Sequence, residues 1–340
     1  MGSVTIDVVP YDGALLTVQL ISGPQTIVLG DFGAPSSGTL VDDDGTLGPS
    51  DDGIATFEGQ ALTYVGSGTA TPGVFVPGVG IVATGTAVDV VSFEANGQIY
   101  FHYPAGDPNL LGAVALVVDM DATPYPLFTP VCFEADTMIS VPGGRRPARD
   151  LRAGDLIEDI HGVPHQIIWT SSRVIDLSVF GPRARSTIAP VVLPADGVSR
   201  RGVGGNLIVS RNHLIHFRHR LAEFYFGSHR VLLPAAAFVG TLGRIDRTAP
   251  HVTYVHFMCQ THAVIRANGV AAETFFPGPQ ALCALPPAQR REMERNPILL
   301  KARQEMKHAA PVLRMRDARF LLAEIFRSEM KENQREITVH

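Results

Sequence analysis

The sequence predicts a mainly β protein: an antiparallel, sandwich-like N-terminal domain, a second all-β domain, and a helical tail. Three observations carry that expectation. Short runs rich in β-branched and aromatic residues, bounded by Gly, Pro and Asp, recur from the first residues to about residue 285. The charge pattern breaks once: residues 1–131 hold 14 Asp plus Glu and no Lys or Arg, whereas 132–340 hold all 28 basic residues beside 19 acidic ones. Proline-led helical segments begin only at Pro286. The expected divisions are therefore an acidic β-rich domain over 1–131, a second domain over 132–285 and a helical tail over 286–340.

In the first domain the expected strands are SVTIDVV, LLTVQLI, QTIVLGDF, ALTYVGSG and QIYFHYP. Closely spaced short strands of this kind build antiparallel sandwiches. The apolar stretch Leu110–Val118 reads as a buried strand, since no run reaches the ~18 apolar residues of a spanning helix. Between strands lies DDDGTLGPSDDG, which is either a solvated turn or a calcium site using Asp42, Asp44, Asp51 and Asp52. Its spacing does not match a helix-loop-helix calcium loop. No other cofactor is expected.

The second domain alternates again, in TMISV, QIIWT, NLIVS, VTYVHFM and HAVIRANG, with turns at Pro142–Gly144 and Asn268–Gly269. His213, His216 and His219 recur every third residue. On a helix they would share a face and suit zinc, whereas on a strand His216 points away from the other two. The neighbouring NLIVS favours the strand, so no metal site is assigned. Pro287, Pro297 and Pro311 stand at or near first-turn positions of tail helices. Val312, Met315, Leu322, Ile325, Phe326 and Met330 form an apolar stripe expected to pack against the body of the protein.

Composition excludes several classes of function. Cys132, Cys259 and Cys283 are too few and odd in number for a disulfide framework. The acidic half repels nucleic acid, and the arginine-rich half has no long basic run. The first residues lack a basic segment ahead of an apolar one, so a cytoplasmic protein, or one exported without a signal peptide, is expected.

Cys132 opens the basic half, and the residues after it are patterned. Cys132-Phe-Glu-Ala-Asp-Thr-Met-Ile, then Gly143–Gly144, Leu151 and Gly154-Asp155-Leu156-Ile157, resembles the opening block of the Hint module shared by hedgehog proteins and inteins. LIVSRNHLIHF is similar to the second block, Thr-x-x-His, with Ser210 and His213 in those places. TYVHFMCQTHAVIRANGVAAET resembles the late block through Tyr254, His262 and Asn268–Gly269. The ending Ala272-Glu273-Thr274…Pro277-Gly278 resembles bacterial Hint-domain proteins in particular. The resemblance implies an all-β horseshoe over about residues 132–278.

It also implies autoprocessing. The Cys132 sulfur would attack the Val131 carbonyl, converting the Val131–Cys132 amide to a thioester. A thiol with pKa near 8.5 is only a few per cent thiolate at neutral pH, so its surroundings must activate it. By resemblance His213 protonates the departing nitrogen, Ser210 hydrogen-bonds the scissile region or orients His213, and His262 assists proton movement or stabilises the oxyanion. Water or an unknown external nucleophile would then release or ligate the N-terminal domain, which is the substrate in cis. A splicing intein ends in His-Asn, but the matching place here holds Glu273-Thr274, so splicing is not expected. The alternative is a catalytically silent Hint scaffold that joins a calcium- or carbohydrate-binding N-terminal module to the helical tail.

Overall fold

The protein is described by a computed structural model over residues 2–338, apart from 14–24, 30, 43–45, 85, 105–107, 109–114, 127–130, 181, 196–204, 279–280 and 283. The expected strand LLTVQLI and the first part of the Leu110–Val118 run lie outside the described residues. The chain divides into two compact units. The first is Met1–Phe128 with Val179–Arg185 and Cys283–Ala288; the second is Thr129–Ser178, Ser186–Leu282 and Gln289–His340.

The first unit holds β1 (Gly2–Tyr11), β2 (Gln25–Leu29), β3 (Ser36–Asp42), β4 (Thr46–Leu47), β5 (Thr56–Phe57) and β6 (Gln60–Val76). Next along the chain are β7 (Gly80–Ala83), β8 (Val88–Ala95), β9 (Gln98–His102), β10 (Ala115–Asp121) and β11 (Tyr125–Pro126). The main sheet is antiparallel, ordered β2-β10-β6-β5-β3-β1-β9-β8, and β8 pairs back onto β6 so that the path closes. Closure removes two exposed edges. Alternation places residues on opposite faces of one strand: Val91 and Phe93 join a cluster with Leu40, Phe57 and Leu62, while Val90 joins Phe101, Leu116 and Val118. The sheet is thus apolar on both sides, which gives the layered character expected of the acidic domain.

In the acidic turn, the Asp51 carboxylate accepts from the Gly48 amide at 2.8 Å and Asp52 accepts from the Tyr64 amide at 2.6 Å. Asp42 is buried at the end of β3, and Asp44 lies outside the described residues. The Asp51 carboxylate is thus bonded within the turn and the Asp52 carboxylate to the neighbouring strand β6.

The second unit begins with β12 (Phe133–Glu134), β13 (Met138–Val141), β14 (Gly144–Pro147), β15 (Leu156–Glu158), β16 (Pro164–Asp176) and β17 (Val191–Leu193). It continues with β18 (Leu207–Val209), β19 (Leu214–Arg218), β20 (Arg230–Pro234), β21 (Arg244–Ile245), β22 (His251–Cys259), β23 (Val264–Ala267) and β24 (Val270–Glu273). Along the chain the described α-helices are α1 (Pro182–Ile188), whose first four residues belong to the first unit, α2 (Arg220–Phe226), α3 (Pro287–Arg295), whose first two do, α4 (Pro297–Glu305) and α5 (Met315–Thr338). The strands form two antiparallel sheets, β15-β16-β22-β12-β18-β17-β21 and β14-β13-β23-β24-β19-β20. Asn268 and Gly269, with φ of 47° and 84°, make the two-residue turn between β23 and β24.

His213 to His219 do not share a helix. Leu214–Arg218 is strand β19, and His219 instead caps α2, its Nδ1 accepting from the Leu221 amide at 3.1 Å. The last helix starts at Met315 rather than Pro311. Pro311 and Leu313 pair with Leu232 of β20, so Val312 is off the helix and exposed. The buried face of α5 is Ala318, Leu321, Leu322 and Ile325, which joins the core around Ile215 and Phe238. The tail is therefore part of the second unit's core.

Candidate functional site

Strand register assembles the site. Phe133 of β12 lies opposite Val255 of β22 on one side and Val209 of β18 on the other. One residue back along β12 and one forward along its antiparallel neighbours, Cys132 lies beside His256 and Ser210. The Cys132 Sγ is 3.2 Å from His256 Nδ1. The Cys132 amide, which is the nitrogen of the Val131–Cys132 bond, donates to Ser210 Oγ at 2.8 Å. The Ser210 amide in turn donates to the Cys132 carbonyl at 3.0 Å.

His256 is not among the residues that the sequence singles out. Within TYVHFM it reads as one inward residue of an alternating strand, and only pairing with β12 sets it against the thiol. Its ring is stacked on Trp169 with centroids 5.2 Å apart, and Phe275 lies 5.1 Å away. Burial pushes its pKa down to about 4, against the pull of the Val131 carbonyl and the Gln289 side chain, which favour the protonated ring. Burial also pushes the Cys132 thiol well up, with Arg173 opposing. At neutral pH the pair is a protonated thiol facing a neutral imidazole acceptor.

His213 is also buried, its ring centroid 4.2 Å from that of Phe133. Neither ring nitrogen has a hydrogen-bond partner among the described residues. Burial pushes its pKa down to about 3, the neighbouring Glu273 and Cys132 backbone raising it and His262 and His256 lowering it. A neutral His213 must first receive a proton before it can give one to a leaving nitrogen.

His262 is engaged elsewhere. Its Nδ1 accepts from the Ala309 amide at 2.9 Å, which leaves the proton on Nε2, and Nε2 faces Glu273 Oε2 at 2.9 Å. The other Glu273 oxygen accepts from the Leu214 amide at 2.9 Å. Burial pushes the Glu273 pKa up, while the His262 and Leu214 bonds pull it back. Thr274, the next residue, accepts from the Ala263 amide at 3.0 Å through its hydroxyl. The three residues tie β24, β23 and the segment after α4 together.

Among the described residues, three possible metal donors converge at His262, Glu273 and His308, their ligand atoms within 4.8 Å of one another. The bonding there opposes a metal, because Nε2 would have to lose its proton while Nδ1 stays unprotonated. A cleft of about 370 Å³ beside His262 is lined by His161, His165, His216, Asp159 and Arg230.

The two neutral imidazoles have a consequence for stability. In an unfolded chain both would take up protons near pH 6.5. Their folded pKa values are lower, so the stability present above about pH 6.5 is lost as pH falls, and the loss stops growing below the folded values. The urea midpoint is expected to be clearly lower at pH 5 than at pH 7.5, and His213→Leu should flatten that dependence. An unchanged slope in the variant would remove His213 as its source.

The sequence profile described as Hint domain matches residues 131–279. No curated protein matches the chain. Among solved structures, the crystal structure of the Msm DnaB1 intein splicing domain bound with zinc is 13% identical, over 42% of this chain and 98% of that one, with a TM-score of 0.26. The MchDnaB-1 intein is 12% identical, over 42% and 99%, with a TM-score of 0.27. Superposition at that level adds no argument about chemistry. No helix among the described residues is long and apolar enough to cross a membrane. The profile match opens one residue before Cys132 and spans the strands that assemble the site: residues 131–279 are a Hint domain, and the chain is a Hint-domain protein.

Proposed function

We propose that this protein processes itself at the Val131–Cys132 bond through a thioester, releasing or transferring its acidic N-terminal domain without splicing. A Hint domain supports autoprocessing in general. The observation that carries the finer reading is the 3.2 Å approach of Cys132 Sγ to His256 Nδ1, beside a scissile nitrogen held by Ser210. In the proposed step the thiol proton passes to His256 Nδ1 and sulfur bonds to the Val131 carbonyl carbon. The tetrahedral adduct collapses as the proton reaches the Cys132 nitrogen and the C–N bond breaks, leaving a thioester and a free amine. Water then restores the thiol and leaves Val131 as a carboxylate; an external thiol or amine would take the acyl group instead. Such a proton shuttle is the work of a histidine whose neutral form is available at pH 7.

Splicing lacks its second reactive group. In place of a terminal asparagine the chain has Glu273 and Thr274, both committed to hydrogen bonds within the fold. Intact-mass analysis of the purified full chain, with and without dithiothreitol, tests the reading. A fragment ending at Val131 that accumulates faster with thiol is expected, because thiol intercepts a thioester. Full-length mass in every condition would leave the silent scaffold.

A further inference from the structure

The matched Hint segment ends at residue 279, yet a helix that comes later in the chain bonds to the tryptophan stacked on His256. Helix α3 is fixed by Arg290, whose Nε donates to the Leu282 carbonyl at 3.1 Å, and by the fully buried Met293. Glu292 accepts from the Trp169 indole at 3.1 Å, and Trp169 is stacked on His256. Gln289 stands one turn before Glu292 on the same helix face. Its side-chain oxygen is buried and has no hydrogen-bond partner among the described residues. A buried amide oxygen left without a donor costs about 1–3 kcal/mol, so one on a side chain that favours the protonated form of His256 calls for an explanation.

We propose that Gln289 is the positioning residue of a Cys132–His256–Gln289 relay, its amide oxygen holding the His256 Nε2 proton so that Nδ1 stays free to take the thiol proton. This rests on the processing reading above. The arrangement follows the general logic of nucleophile, base and orienting group, in which the third member fixes the base's tautomer and favours its protonated form. The Gln289 side chain does raise the His256 pKa against burial. Helix α3 would then complete the site from outside the matched domain, which gives the tail a part in the chemistry.

The other titratable groups around His256 are few. They are Cys132, Arg173 on β16 acting on that thiol, Glu292 bonded to Trp169, and His213, whose protonation His256 disfavours. The chain has one tryptophan, and it lies against this ring. Trp169 emission, quenched when the stacked imidazole is protonated, therefore reports the His256 pKa whether or not cleavage occurs.

The test titrates Trp169 emission in the full chain carrying Cys132→Ala, with Gln289, Gln289→Glu or Gln289→Leu. Cleavage rate against pH is followed in parallel with Cys132 present. Gln289→Glu is expected to move both midpoints up by about one to two units and Gln289→Leu to move them down. Either folded variant suffices. Midpoints that stay put overturn the inference, even if cleavage slows, since that pattern is packing alone. Cleavage with unmoved midpoints leaves processing standing without the relay. Midpoints that move in a chain that never cleaves leave the positioning role and remove the processing.

Discussion

His256→Leu is expected to slow appearance of the Val131-terminated fragment by about 10²–10⁴-fold, the usual worth of a positioned acid–base group. Cys132→Ala should yield none of it. The reasoning starts from the thiol, which burial holds protonated far above neutral pH. Its acceptor is His256 Nδ1 at 3.2 Å, whereas both nitrogens of His262 are engaged with Ala309 and Glu273. Leucine fills a similar volume between Trp169 and Phe275 but accepts no proton. Trp169 fluorescence checks that the site has kept its packing. A His256→Leu chain that processes at the parental rate would dismiss this imidazole as the base.

Glu273→Ala is expected to lower folding stability by about 3–5 kcal/mol, read as a shift in urea midpoint, because it strands two buried donors at once. The His262 Nε2–H and the Leu214 amide both lose their acceptor, in a place with almost no water access. Glu273→Gln should cost less, since one oxygen survives. It still turns an amide group toward one of the two donors. A shift below about half a kcal/mol for Glu273→Ala would show that these groups find other partners. Because His262 and Glu273 lie away from the thiol's proton path, their variants are expected to act on stability more than on the pH dependence of processing.

Much of this was legible in the residue order. VTYVHFM, TMISV and NLIVS became β22, β13 and β18, because short runs rich in β-branched and apolar residues between turn signals are buried most readily as strands. Asn268–Gly269 and Pro142–Gly143 marked hairpins, since positive φ is open to few residue types. The tail's register was not legible. Pro311 reads as a first helical turn, yet its carbonyl pairs with Leu232, and a tertiary hydrogen bond outweighs a local start signal. The opening cysteine, Ser210 and His213 stand out through their similarity to separate blocks, and Cys132 and Ser210 meet by hydrogen bonds.

His256 and Gln289 carry no such mark. Their significance lies in which strand runs beside Cys132 and which helix bonds to the tryptophan stacked on His256; Cys132 meets His256, and Trp169 meets Glu292, across more than a hundred positions. The sequence alone determined the β character, the charge boundary at residue 131 and the cysteine just after it, because these arise from local periodicity and composition. Only tertiary structure decided which imidazole faces the sulfur and that His262 is tied to a carboxylate. Proximity between distant residues is set by strand register and packing, which no short stretch of chain encodes by itself.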